Sequence, residues 1–188
     1  YTFLKEKSDI FSKKIKLLHI SPEGSLKSLL QKSSNIDYYC GDKFEEGYQD
    51  YYYDRDVFQI DITNIKYKDD EFDVLICNHV LEHVDDDEKA LQEIYRVLKP
   101  GGWAILQVPI SLTLQKTLEQ PTSSPAERER LFGQFDHVRL YGQDYKERLA
   151  KVGFIVKTHN PKRDNWDIDI NRLAINPMEV LYLAHKSI

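Results

Sequence analysis

A chain of 188 residues, 41% hydrophobic and 30% charged, is long enough to bury one sizeable core and too short for a second catalytic unit. No apolar run approaches the roughly 18 residues that a membrane span needs, and a formal net charge of -5 argues against a broad nucleic-acid surface, which rests on clustered Lys and Arg. Cys40 and Cys77 lie in apolar segments and read as small buried hydrophobes, the pattern of a reducing, cytoplasmic setting. Tyr1 stands where Met is usual and Phe3 to Lys7 is too polar for a signal sequence, so the chain reads as one trimmed at its start.

Short apolar runs alternate with amphipathic stretches from end to end, the pattern of βα units that build a parallel sheet. Ile15 to Ile20 predicts a first strand, followed by a turn at Ser21-Pro22-Glu23-Gly24 and a short helix carrying Leu26, Leu29 and Leu30. Asp37 to Gly41 predicts a second strand, Val57 to Ile60 a third, and Phe72 to Cys77 a fourth, apolar enough to be buried on both faces. A helix is predicted from Asp86 to Lys99, with Leu91, Ile94, Tyr95 and Leu98 on one face. Its start is acidic, Arg96 and Lys99 lie at its end, and Pro100-Gly101-Gly102 stops it. Trp103 to Val108 predicts a fifth strand, Tyr145 to Val152 a helix, Phe154 to Thr158 a sixth strand and Glu179 to Ala184 a seventh. Two connections, 109–141 and 159–177, are long enough to point to function. Within the first, Ser124-Pro125-Ala126-Glu127 predicts a capped helix that runs to Phe132.

The run Phe72 to Asn78, then His79-Val80-Leu81-Glu82-His83-Val84, and after a helix Leu98-Lys99-Pro100-Gly101-Gly102-Trp103, resembles the middle motifs of the class I, type 11 methyltransferases. The resemblance implies an α/β, Rossmann-like fold: a seven-stranded, mostly parallel sheet of order 3-2-1-4-5-7-6 with helices on both faces and the last strand antiparallel. It implies a single methyltransferase domain over 1–188, with insertions at about 109–141 and 159–177. It further implies S-adenosyl-L-methionine as cofactor and methyl transfer to a small-molecule acceptor. The first motif departs from the family pattern. In place of an acid followed by Gly-x-Gly-x-Gly stands His19-Ile20-Ser21-Pro22-Glu23-Gly24, a His-x-Ser-Pro-Glu form that looks like a subgroup of the same family.

S-adenosylmethionine carries a ribose diol, an adenine amino group, an ammonium and a sulfonium, so it calls for acceptors at the C-terminal ends of adjacent strands. His19, Ser21, Glu23 and Gly24 make the altered first turn, where Glu23 takes the place of the missing acid and meets the ammonium. Asp42 takes the ribose hydroxyls, or serves only as a turn residue. Asp61 takes the adenine amino group with Ile62 over the ring, or caps the turn that follows. Asn78 and His79 wall the sulfonium, and His79 is also a candidate general base.

Acceptor-binding groups are expected in the first long connection, where Asp136, His137, Arg139 and Tyr141 fall close together. His137 is the candidate base, oriented by Asp136, with Arg139 and Tyr141 on the acceptor; the competing reading is an Asp136–Arg139 ion pair that steadies a loop. Tyr48, Tyr51, Tyr52 and Tyr53 either pack a loop or close over the substrate, and Trp166 reads as a lid or an oligomer contact. His79-Val80-Leu81-Glu82-His83 also spells the H-x-x-E-H of a zinc protease class. The motif abuts a buried strand instead of lying within a helix, so no metal site is expected, and Glu82 and His83 are assigned to helix-terminus hydrogen bonds. Two other classes compete. The depleted glycine turn speaks for a methyltransferase-like binding module without activity, and the missing G-x-G-x-x-G counts against a dinucleotide oxidoreductase.

Overall fold

The computed structural model describes residues 1–43, 56–120, 124–173 and 175–188; Tyr48, Tyr51, Tyr52 and Tyr53 lie outside the described residues. Nine strands are described: β1 (Ile15–Ile20), β2 (Ile36–Asp42), β3 (Phe58–Gln59), β4 (Phe72–Asn78), β5 (Leu98–Gln107), β6 (Leu118–Glu119), β7 (Arg139–Leu140), β8 (Ile155–His159) and β9 (Leu181–His185). The helices are α1 (Thr2–Lys7), α2 (Gly24–Gln31), α3 (Asp87–Val97), α4 (Pro125–Phe132) and α5 (Tyr145–Val152), with a 3-10 turn at Leu81–His83.

Seven strands form one sheet in the order β3-β2-β1-β4-β5-β9-β8. Pairing is parallel from β3 through β5, and β9 runs antiparallel to both of its neighbours. Once the small ribbon β6–β7 is set aside, this is the expected 3-2-1-4-5-7-6. The two central strands are apolar on both sides because both faces are covered. Leu18, Leu75 and Cys77 pack with Ala90, Leu91 and Ile94 of α3 and Tyr145 and Leu149 of α5. Leu17, Val74 and Ile76 pack with Phe3 and Leu4 of α1 and Leu30 of α2. Cys40 and Cys77 are both buried. Truncating a fully buried member such as Leu91 to Ala costs about 2–5 kcal/mol. Among the described residues, no helix is long and apolar enough to cross a membrane.

Local chemistry sets the element ends. The Asp86 side chain accepts from the Lys89 amide at 3.0 Å and caps α3, whose first turn carries Asp87 and Glu88 and whose last carries Arg96. The helix stops at Val97, two residues earlier than expected, because extended Leu98 already pairs with Phe72 of β4. Pro100-Gly101-Gly102 therefore lies inside β5, at a register shift between its pairings with β4. Gly101 has φ +78°, and a Cβ on Gly102 would stand 2.9 Å from the Lys99 carbonyl oxygen and 3.0 Å from that of Asp73. The expected capping box opens α4, with Ser124 and Glu127 each bonded to the other's backbone.

The long connections are not free loops. The first is closed by pairing of β6 with β7 and by α4. The second is tied at its base by Asn160, whose amide donates to the carbonyls of Pro177 and Glu179 at 2.8 Å each. Trp166 packs in the core cluster beneath α1, with its ring centroid 5.9 Å from that of Phe3.

Candidate active site

The order of the sheet reverses between β1 and β4, and the C-terminal ends of these parallel strands form the crevice where such sheets take ligands. His19 is fully buried near the end of β1. Its Nδ1 stands 2.9 Å from the Tyr38 hydroxyl and its Nε2 2.8 Å from Glu23 Oε2. A carboxylate only accepts, so Nε2 carries the proton and Nδ1 accepts from Tyr38. The Asn78 amide donates to Glu23 Oε1 at 2.8 Å, which joins the β1 turn to the end of β4. Burial alone would raise the Glu23 pKa, but the hydrogen bonds from His19 and Asn78 outweigh it and hold the group down at about 2. Burial pushes the Tyr38 hydroxyl up, so it remains a donor.

Ser21 adopts φ +49°, a conformation costly for a residue with a side chain, and its backbone amide donates to Gly41. That twist aims its hydroxyl at Asp42 Oδ2, 2.9 Å away, while the Lys43 amide donates to Asp42 Oδ1 at 2.7 Å. Gly24 opens α2, and a Cβ there would meet no protein atom within 4 Å, so packing does not impose the glycine. Asp61, exposed after β3, accepts from the Thr63 amide and hydroxyl at 2.8 and 2.7 Å, which lowers its pKa. Both bonds of this turn cap fall on Oδ1. Ile62 is buried in the core, not spread over an open ring site.

His79 follows β4 with φ +54° and a side chain 56% exposed. Its Nδ1 lies 3.5 Å from Glu82 Oε1, and that carboxylate raises the histidine pKa. His79 also lines a cavity of about 490 Å³ with Gln107, Val108, Pro109, Ile110, Leu112, Asn176, Met178, Glu179, Val180 and Tyr182. Residue patterning missed this lining. One signal was present: Gln107 is a polar residue inside an otherwise apolar strand, and its amide donates to the Val180 carbonyl at 2.9 Å.

The residues expected to hold the acceptor are placed elsewhere. Arg139 is buried, and its guanidinium is consumed by the carbonyls of Leu81, Val84 and Asp85 and by Glu119 Oε1. Tyr141 has no exposed surface, and its hydroxyl donates to Asp87 Oδ2 at 2.7 Å. Neither can touch a substrate. Asp136 does not orient His137 and does not pair with Arg139; its Oδ2 lies 3.1 Å from His83 Nδ1. His137 is buried, with Nδ1 3.2 Å from the Phe132 carbonyl. Glu82 is no helix cap either, since its carboxylate is buried and Oε2 has no hydrogen-bond partner among the described residues.

The rim thus offers Glu23, Asp42 and Asp61 at the ends of adjacent strands, and the buried Asn78 Oδ1 has no partner among the described residues. An unsatisfied acceptor beside a carboxylate suits a ligand that brings a cationic donor. Residues 37–106 match a family described as methyltransferase domain. A 2-phytyl-1,4-naphtoquinone methyltransferase of Nostoc punctiforme is 38% identical over 125 residues, covering 55% of this chain and 50% of that protein. A demethylmenaquinone methyltransferase of Streptomyces avermitilis is 44% identical over 46 residues, 24% of this chain and 20% of that protein. The chain therefore spans half or less of these curated relatives.

Among solved structures, a SAM dependent methyltransferase from Archaeoglobus fulgidus superposes with TM-score 0.61 at 18% identity, over 97% of this chain and 91% of that one. Phosphoethanolamine N-methyltransferase 2 of Haemonchus contortus, in complex with S-adenosyl-L-methionine, gives TM-score 0.59 at 17% identity, over 96% of this chain and 51% of that one. Fold and matched segment point the same way: the sheet is that of these solved structures, and residues 37–106 resemble a methyltransferase domain.

Proposed function

We propose that the chain forms one domain that transfers the methyl group of S-adenosylmethionine to a small molecule with an apolar body. The observation that carries this reading is the linked set His19–Glu23–Asn78 at the crossover of the sheet, with Asp42 beside it. Glu23 and the free Asn78 Oδ1 would hold the cofactor ammonium and Asp42 the ribose hydroxyls, while Asp61, oriented by Thr63, faces the adenine end. When bound, the cofactor supplies a methyl group already activated by the sulfonium. The chain's own part is then alignment, exclusion of water and proton removal.

The cavity beside His79 supports the choice of acceptor. Val108, Pro109, Ile110, Leu112, Met178 and Val180 give it apolar walls, and His79, Gln107, Glu179 and Tyr182 give it a few convergent polar groups. His79, in place of the buried His137, is the group that reaches this space, and it takes the proton from an acceptor hydroxyl or amine. The relatives named for naphthoquinone and menaquinone substrates agree with an apolar ring acceptor. A thermal-shift comparison tests the reading: S-adenosylhomocysteine should raise the melting temperature and NAD should not. Mass spectrometry of a naphthoquinol incubated with the cofactor should then show a gain of one methyl group. Cofactor binding without methylation of any acceptor tried would favour the inactive binding module.

A further inference from the structure

Glu82 and His83 on the 3-10 turn, and His137 in the loop after α4, each present one ligand atom, and these atoms lie within 4.8 Å of one another. We propose that they form a site for one divalent transition-metal ion of the Zn²⁺ type, independent of whether the chain transfers methyl groups.

Three observations point the same way. The Glu82 side chain is 2% exposed and its Oε2 has no partner among the described residues, and a buried carboxylate oxygen left so is costly unless a cation or donor meets it. His83 Nδ1 faces Asp136 Oδ2 at 3.1 Å, and His137 Nδ1 faces the Phe132 carbonyl at 3.2 Å. Both partners only accept, so both Nδ1 atoms carry the proton and both Nε2 lone pairs are left to bind a ligand. Metal-binding histidines are held in this way, by an acceptor on the nitrogen that does not touch the metal. The two rings stand edge to face, with centroids 4.7 Å apart.

The backbone around the cluster is already fixed. The Val138 amide donates to the Glu82 carbonyl at 2.9 Å, and Arg139 pins the carbonyls of Leu81 and Asp85. Ligands on a tetrahedral Zn²⁺, at about 2.0–2.1 Å from it, stand roughly 3.4 Å apart, so binding draws the three atoms together by about 1.4 Å at most. Two imidazoles and one carboxylate select Zn²⁺, Co²⁺ or Mn²⁺ over Ca²⁺ and Mg²⁺, which demand oxygen. Three protein ligands leave a fourth position open on the side of His83, whose side chain is 32% exposed. The site is not the H-x-x-E-H pair of the sequence reading, because His79 turns to the cavity and His137 takes its place.

The test is calorimetric titration of chelator-treated protein with Zn²⁺, repeated with Co²⁺ while visible absorption is followed. One equivalent should bind. His83→Ala, a change at a partly exposed position, should weaken binding at least about tenfold, the smallest effect expected even for loss of an orienting partner. His159→Ala, outside the cluster, should leave binding unchanged. Independently of any variant, one equivalent of Zn²⁺ should shift Nε2 of two histidines in ¹⁵N spectra of the unaltered protein, with both Nδ1 protons retained. Absence of binding, equal affinity in His83→Ala, or binding that leaves the histidine nitrogens unmoved would overturn the proposal.

Discussion

Glu23 Oε2 accepts from His19 Nε2 at 2.8 Å, which fixes the carboxylate of the turn to the strand it follows. The bond has a thermodynamic consequence. With its pKa held at about 2 in the folded chain, against 4.5 ordinarily, Glu23 contributes stability that is fully present above about pH 4.5. That contribution is lost as pH falls through about 2. The melting temperature of Glu23→Gln should therefore lie below that of the parent at neutral pH, and the gap should close between pH 4.5 and 2. A gap constant across that range would show that the hydrogen bonds do not favour the ionised form.

Arg139 should behave as a structural clamp. It is 4% exposed and donates to three backbone carbonyls and Glu119, so Arg139→Ala should lower unfolding free energy by about 3–5 kcal/mol. Arg139→Lys should recover only part of this, since one ammonium cannot reproduce the fork. Chemical denaturation measures both. A variant of unchanged stability with only a raised KM would restore the acceptor-binding role.

His79 pairs a strained backbone with an exposed imidazole. Left-handed φ costs a residue with a side chain roughly 1–2 kcal/mol, while glycine adds about 0.4–1 kcal/mol of unfolded-state entropy. His79→Gly should therefore stay within about 1 kcal/mol of the parent, and His79→Val should be destabilised by about 1–3 kcal/mol. Both should retain S-adenosylhomocysteine affinity and lose turnover. Full turnover in a folded His79→Gly protein would remove the histidine from proton transfer.

What the sequence disclosed and what it hid divide along a physical line. Ile15–Ile20 and Phe72–Asn78 were legible because burial on both faces demands an unbroken apolar run, and the capping box of α4 because it is local. The end of α3 was misplaced, since pairing of Leu98 with Phe72 outweighs helix propensity at that point. Two-residue strands such as β6 and β7 carry no period to detect. The site divides the same way. The placing of Glu23, Asp42 and Asn78 beside the crossover of the sheet follows from where the strands end. The partners of Asp136 and Arg139, at His83 and at the carbonyls of 81–85, depend on where the loop 109–141 lands, and no spacing rule encodes that. The packing of Trp166 against Phe3 is likewise a tertiary fact.

The rim formed by Glu23, Asn78 and Asp42 is the proposed cofactor site, and calorimetric titration with S-adenosylhomocysteine tests it most directly. The parent chain should bind one equivalent, with affinity reduced at least about tenfold in Glu23→Gln and in Asp42→Asn, in keeping with loss of a charge-assisted hydrogen bond. No binding to the parent, or equal affinity in all three proteins, would contradict it.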